Sequence, residues 1–563
     1  MLIRFFKKIV RFAWLVPGFL LWAAFPPMGE RFDCFFALAP LLWLARYQPG
    51  DSRPWEKTER LIPKCTRTWF FNGFIFWFAT LAWMPAIVKN NGPWPLVLLG
   101  WGALAAYCAL YFAAFGFLSS RYWRWAAGSL VRRFLGLLAV EPLLWCGLEL
   151  VRSRFLGGFA WNQLGVAPIN AGFGAPAALG GVYLVSAVVV LVNGTIASIA
   201  ERFLERRASP WRSLETFVPF GLVFAIYSLA STIESTNRRI DESTNPPLSV
   251  ALVQRNFPCC FKPQEAENPC VAYSNLCSHL SYLKPDLVVL SESALAEIGA
   301  IGRGRDAAFA QWLMQICDAQ ALLAGGGRMT DGRAYNSAAL YLRGDSAAPA
   351  AVYDKVHLVP FGEFIPGDKL FPVLQKLAPV GSCTPGELKT LELNRIPLGV
   401  AICYEDTDSA QIRELARQGA QVLVFITNDS WFSYSDETVS HAWQATARAI
   451  ETGLPVVRVG NSGVTGVIYP DGRASWLCAA DGWPLTDDRG VMFERVPVGP
   501  AAPEPYCILG DWPLGLAFAL LLTVYLSAGF RRYREQRRIR SMAAKTIVDR
   551  PERTGGQIQR SMA

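Results

Sequence analysis

The sequence predicts a polytopic α-helical membrane domain of about eight spans joined to a separate α/β domain, and three observations support this. The 563 residues are 52% hydrophobic, with 20 Trp and 35 Phe, a composition ordinary for an integral membrane protein. Apolar runs approaching the roughly 20 residues needed to cross a bilayer gather before residue 232 and recur once after residue 508. Between them, from Pro247, short β-branched runs alternate with helix-like stretches, the pattern of an α/β domain with a buried sheet. The net charge of +9 is unevenly spread, with 22 Lys+Arg against 31 Asp+Glu over residues 233–507 and 32 against 14 elsewhere. The basic excess flanks the apolar runs, where it sets orientation, and this argues against a nucleic-acid partner.

The candidate spans are 12–25, 34–45, 69–88, 96–118, 135–151, 178–200, 217–230 and 512–530. The first follows Arg4, Lys7, Lys8 and Arg11 like the core of a signal peptide, yet it leads into Phe25-Pro-Pro-Met-Gly rather than a small-residue cleavage site. Loops 46–68, 119–134 and 201–213 carry six, four and four basic residues, and the tail after Phe530 carries ten. The intervening loops carry one or two. Positive-inside bias then places both termini in the cytoplasm and the segment between spans seven and eight outside it, in the periplasm of a bacterium. The expected organisation is a membrane domain of about seven helices over 1–232, an extracytoplasmic domain over 233–508, a closing helix over 509–530 and a basic, disordered tail over 531–563. Within span five, Glu149 and Arg152 are spaced to pair at the helix end. A grip on a lipid head group is the sharper alternative.

Strand-like runs of the α/β segment are 248–253, 287–290, 322–324, 338–342, 398–403, 422–427 and 456–459, with helix-like stretches at 309–320, 410–418 and 441–452. Residues 463–470 followed by Asp471-Gly472 suggest a hairpin. Two of these runs lead into reactive groups, and a third such group lies between runs. Cys403 closes one and precedes a group of helix-capping residues, which would place the thiol at a positive helix end and favour thiolate. Glu292 follows another, at the sheet edge where α/β sites gather, and burial would suit it as a general base. Lys355, in Tyr353-Asp-Lys-Val-His-Leu-Val-Pro-Phe-Gly-Glu363, suits an oxyanion, with Glu363 as a second acid. Each has an ordinary reading too: a small buried cysteine, a solvated loop acid, a lysine paired with Asp354. His357 reads as a packing or hydrogen-bonding residue. No Cys/His cluster has metal-ligand spacing, so neither metal nor cofactor is expected. Nine of 13 cysteines lie in the extracytoplasmic segment, which leaves disulfides open.

Residues 353–364, Ile402-Cys-Tyr-Glu405, Thr427-Asn-Asp-Ser-Trp-Phe432, His441–Gly453 and Asn461–Thr465 together resemble the bacterial apolipoprotein N-acyltransferases, with an α/β segment similar to the nitrilase superfamily. The resemblance implies an αββα sandwich in which Glu292 is the base, Lys355 the oxyanion lysine and Cys403 the nucleophile. It further implies Glu363, Tyr404 and Glu405 in supporting roles and a pocket loop with Asn428, Trp431 and Phe432. The implied reaction is phospholipid-dependent N-acylation of the S-diacylglyceryl-cysteine of apolipoproteins through a thioester on Cys403. The enzyme is expected as a monomer in the inner membrane, and residues 361–380 as a lipid-dipping arm. The rival readings are a membrane-tethered amidase that passes the acyl group to water and a transporter or scaffold with a degenerate domain.

Overall fold

In the computed structural model the described residues are 15–46, 54–90, 92–126, 129–204, 214–241, 246–258, 267–344, 348–365, 382–499, 503–527 and 534. The basic N-terminal residues, most of the arm over 361–380 and nearly all of the tail lie outside them. The chain forms two compact units, Met1–Trp512 and Pro513–Ala563.

The first part of the larger unit is helical. Two eight-residue helices, α1 (Val16–Ala23) and α2 (Ala39–Arg46), precede α3 (Pro54–Thr80), α4 (Trp94–Ala126), α5 (Leu130–Arg152), α6 (Ala177–Leu204) and α7 (Leu214–Asp241). Among the described residues α4 to α7 are the four helices long and apolar enough to cross a membrane. The described part of the first expected span holds one short helix, Val16–Ala23, and the second is divided between Cys34–Ala37 and Ala39–Arg46. The third lies largely within α3, whose N-terminal half carries Glu56, Lys57, Glu59, Arg60, Lys64 and Arg67 and which stops at Thr80 rather than Val88. Leu98, Leu99 and Leu110 on α4 and Phe217, Phe220 and Phe224 on α7 point outward, as lipid-facing helices require. Inward, an aromatic seam joins α3, α4 and α5, with Trp69 4.8 Å from Phe115 and Trp145 5.1 Å from Phe112.

Buried charges in this bundle are hydrogen-bonded. Glu141 accepts from Ser119 (2.9 Å) and Trp123 (2.7 Å) and is ion-paired with Arg46. The expected Glu149–Arg152 pair is replaced by bonds to the loop that follows. Glu149 accepts the Leu164 amide at 2.8 Å, and Arg152 donates to the carbonyls of Phe159 and Trp161 at 2.7 and 2.8 Å while lying over the Trp77 ring. Backbone groups of a buried loop need partners, and they outbid a helix-face ion pair.

The second part is a sandwich of two six-stranded sheets. The first sheet has the order β12-β1-β2-β3-β4-β5 and the second β11-β10-β9-β8-β7-β6. The strands are β1 (Leu248–Gln254), β2 (Leu287–Leu290), β3 (Ala321–Thr330), β4 (Arg333–Leu342), β5 (Ala351–Asp354) and β6 (Leu391–Leu393), then β7 (Ile396–Ile402), β8 (Val422–Thr427), β9 (Val456–Gly460), β10 (Gly466–Ile468), β11 (Ala474–Trp476) and β12 (Gly490–Val496). Period-two alternation sorts each strand between two cores. Val250, Leu252, Val289, Leu323 and Leu340 meet Leu398, Val400, Val424, Ile426 and Val457 between the sheets. Ala251, Val288, Leu290 and Leu322 turn outward under α8 (Pro269–Cys277) and α9 (Arg305–Cys317). Leu423, Phe425 and Val456 pack under α10 (Ser409–Arg417) and α11 (Glu437–Thr452). The layers are therefore αββα. The expected hairpin is β10–β11.

The sandwich also completes a helix of the bundle. Gly180 and Gly181 break α6, and Gly181 has a φ of +65° with the Tyr506 ring where a Cβ would stand. The freed Val182 amide donates to Glu451 on α11 at 2.8 Å, which caps the second half of α6 from the sandwich side. A further apolar helix runs over Trp512–Ser527, all but its first residue in the smaller unit.

Candidate active site

Glu292, Lys355 and Cys403 each follow a strand. β5 runs parallel to β2, through β3 and the antiparallel β4, so Glu292 and Lys355 leave the same edge of the first sheet. Lys355 Nζ is 3.9 Å from Glu292 and 3.0 Å from Glu363. Lys355 is 1% exposed, and its neighbour Asp354 pairs with Arg328 instead, so the reading of an exposed Lys355–Asp354 pair does not hold. Asn336 on β4 spans the two acids, donating to Glu292 and to Glu363 at 2.7 Å each. Glu363 also accepts the Val359 amide at 2.8 Å.

These contacts separate the two carboxylates. Burial raises the Glu292 pKa, with Lys355 and Asn336 opposing, and the net position is above the ordinary range. Burial acts on Glu363 as well, but Lys355, Asn336 and the Val359 amide outweigh it and hold that group below its ordinary value. Lys355, against the pull of burial, is held firmly protonated by Glu363, Cys403 and Glu292. One ammonium between two carboxylates leaves a single negative charge, which a proton on Glu292 would cancel.

Cys403 is half-buried at the end of β7 and has a φ of +54°, a left-handed conformation costly for a non-glycine residue. Glu405 holds the turn in place. Fully buried, it accepts from the Ile402 amide (2.8 Å), the Val356 and His357 amides (2.7 and 3.0 Å) and the Tyr353 hydroxyl (2.9 Å). One carboxylate thus ties the Cys403 turn to the Lys355 segment. As expected, Cys403 opens a helical turn, the 3-10 helix Cys403–Thr407, with α10 following from Ser409. The thiolate is nevertheless disfavoured, because burial together with the Glu292 charge pushes the Cys403 thiol well above its ordinary pKa.

The remaining expected residues lie at the margins. Tyr404 reaches away, its hydroxyl 3.3 Å from the Gly158 carbonyl and its ring edge-on to His357. His357 bonds to the Gly157 carbonyl at 3.0 Å and lies 3.4 Å from Asp408. Asn428, Trp431 and Phe432 form the turn after β8. The Asn428 side chain accepts from Ser430 and Asn461, Phe432 packs on Trp83, and the Trp431 carbonyl accepts from Asn90. Sequence reasoning passed over Asn336, although an Asn inside a strand-forming stretch is a usable signal. It also passed over a buried set formed by Asp406, Asp429, Glu437, His441 and Arg458. There, ligand-type atoms of Asp429, Glu437 and His441 lie within 4.8 Å of one another.

Family models for the apolipoprotein N-acyltransferase N-terminal domain and for carbon-nitrogen hydrolase match residues 17–195 and 264–485. An apolipoprotein N-acyltransferase of Geobacter metallireducens is 30% identical over 475 residues, covering 82% of this chain and 85% of its own. The chain belongs to the apolipoprotein N-acyltransferases. A relative of that name from Photobacterium profundum is 28% identical over 88% of this chain and 91% of its own. Among solved structures, an amidase from Nesterenkonia sp. aligns with a TM-score of 0.34 at 17% identity, over 48% of this chain and 97% of that one. As a member of this family the chain is an integral membrane enzyme with a nitrilase-like α/β domain.

Proposed function

We propose that this enzyme moves an acyl chain from a membrane phospholipid to the free α-amino group of an S-diacylglyceryl-cysteine on an apolipoprotein. Glu292 takes the Cys403 proton as the sulfur attacks an ester carbonyl of the phospholipid. Lys355 stabilises the oxyanion, and the lysophospholipid leaves with the proton returned by Glu292. The amine then attacks the thioester, Glu292 receives its proton, and the Cys403 thiol is restored as the amide forms. Glu363 keeps Lys355 charged and in place, and Tyr404 and Glu405 support the nucleophile turn. The loop with Asn428, Trp431 and Phe432 borders the substrate.

The observation that carries this reading is the Glu292–Asn336–Glu363–Lys355 array, with Glu292 and Lys355 buried, beside a thiol on a left-handed turn, in a chain with helices long and apolar enough to span a membrane. A thioester is reactive enough for an amine to displace, provided water is kept away. The reading extends to topology: residues 1–232 with about seven spans, a periplasmic catalytic domain over 233–508, an eighth span over 509–530 and a cytoplasmic tail over 531–563, acting as a monomer in the inner membrane. Intact-protein mass spectrometry after incubation with phospholipid tests the chemistry. An acyl adduct on Cys403 that disappears on adding a diacylglyceryl lipopeptide is the expected result. Active enzyme without the adduct, or acylation by Cys403→Ala, would overturn it. Release of free fatty acid alone would favour transfer to water.

A further inference from the structure

Behind the reacting groups lies the second set of buried charges. Asp406 sits in the turn that carries Cys403, Asp429 in the turn after β8, and His441 on α11 between them. The two imidazole nitrogens face Asp406 Oδ1 and Asp429 Oδ1, each at 3.0 Å. Arg458 on β9 completes the set, 3.3 Å from Asp429 and 3.8 Å from Asp406. Glu437, one helical turn before His441, is 3.6 Å from the ring, and Trp161 from the helical part lies over it with ring centroids 5.4 Å apart. Arg448, also on α11, donates to the Thr407 carbonyl of the nucleophile turn at 2.9 Å and is ion-paired with Glu451.

Resting on the assignment of Cys403 as nucleophile, we infer that His441 is a positioning residue: as an imidazolium it clasps the nucleophile turn to the turn after β8 and cancels the Asp429 charge beside the sulfur. A neutral ring has one N–H and one lone pair, and the lone pair would then face a carboxylate. Only the charged ring donates to both acids. Burial disfavours that charge, but Asp406 and Asp429 overcome it and hold the imidazolium up to about pH 10. Burial and the nearby Asp429 keep Glu437 protonated. Two acids and two cations therefore leave the set neutral. The same protonated ring and the Arg458 guanidinium make Asp429, Glu437 and His441 a poor metal cage despite their spacing.

The link to the thiol runs through Thr427. Its hydroxyl gives its one proton to Asp429 Oδ1 at 2.6 Å and presents its oxygen to the Cys403 sulfur. The Asp429 charge itself pushes the thiol pKa up. Loss of the imidazolium would expose the sulfur to that charge and free the two turns from each other.

The test uses the full-length enzyme in detergent and reads Cys403 alkylation by iodoacetamide against pH, alongside lipopeptide acylation. His441→Gln keeps a hydrogen-bonding amide and removes the charge. The expected result is an alkylation midpoint about one pH unit higher and a kcat about tenfold lower, with KM little changed. In Asp406→Asn/His441→Gln an acid leaves with the imidazolium, and the midpoint returns toward wild type. In Asp429→Asn the midpoint falls. An unshifted His441→Gln profile, a double variant no closer to wild type than the single, or a rise in Asp429→Asn would each overturn the inference. Should His441→Gln fail to accumulate, the Asp429→Asn shift alone decides. Alkylation reports the thiol whatever acceptor takes the acyl group, so acylation surviving in Cys403→Ala would remove the reaction scheme without altering these shifts.

Discussion

Asn336→Leu isolates the part of the site that sets the base. The substitution keeps approximate size and removes both N–H donors, each 2.7 Å from a carboxylate. A hydrogen bond to a charged group contributes about 1.5–3 kcal/mol. Taking the lower figure for Glu292 alone, its carboxyl gains about one pH unit. Glu363 retains Lys355 and the Val359 amide and stays ionised. The proposed scheme needs Glu292 unprotonated to take the thiol proton, so the acid limb of kcat/KM is expected to move up by about one unit. The rates approach each other again above that limb, apart from any loss of alignment. Acylation of a fluorescent diacylglyceryl peptide by purified enzyme, measured from pH 5 to 8, gives the profile. An acid limb that stays in place at undiminished rate, or moves down, would refute the role assigned to Asn336 and Glu292.

Two further perturbations follow from the geometry. At Gly325 on β3 a Cβ would stand 2.6 Å from the Glu292 Cα and 2.9 Å from the Ser291 carbonyl, both backbone, so Gly325→Ala must displace Glu292. Acylation should fall about 100-fold with secondary structure unchanged by circular dichroism; full activity would contradict the close approach. Asp408 is held at about 2, where burial is outweighed by its bond to His357 and the charge of Arg154. Its folded pKa lies below the unfolded one, so its contribution of about 2 kcal/mol is complete above the unfolded value near 4 and lost as pH falls through about 2. Asp408→Asn preserves the cap on α10 but lowers thermal stability in detergent at pH 7, and the gap from wild type narrows as pH falls from about 4 toward 2. A constant gap would place the effect elsewhere.

The strands leading to Glu292 and Cys403 were legible because strands buried on both faces read as short unbroken apolar runs. Three-residue strands such as β6, β10 and β11 leave almost no such run. Asn336 and the His441 set were illegible for another reason: their roles arise from pairings across 12 to 44 positions that only the packed sheets bring together. The Glu149–Arg152 spacing misled because a loop beyond the helix carried backbone groups in greater need of partners. The thiol misled because a strand-end cysteine before capping residues suggests a helix terminus that favours thiolate, whereas burial and a neighbouring carboxylate outweigh it. The span count was blurred by α3, one helix with a polar half and an apolar half.

The capped break in α6 has a consequence for synthesis in the cell. The Val182 amide depends on Glu451, 269 positions later in the chain. At about 5–20 residues per second, a ribosome reaches that residue roughly 15–50 s after α6 has emerged. Throughout that interval the helix carries an open donor, and the broken segment has no stable way to settle. That cap therefore waits on the later half of the polypeptide, and a chain truncated before α11 is made without it.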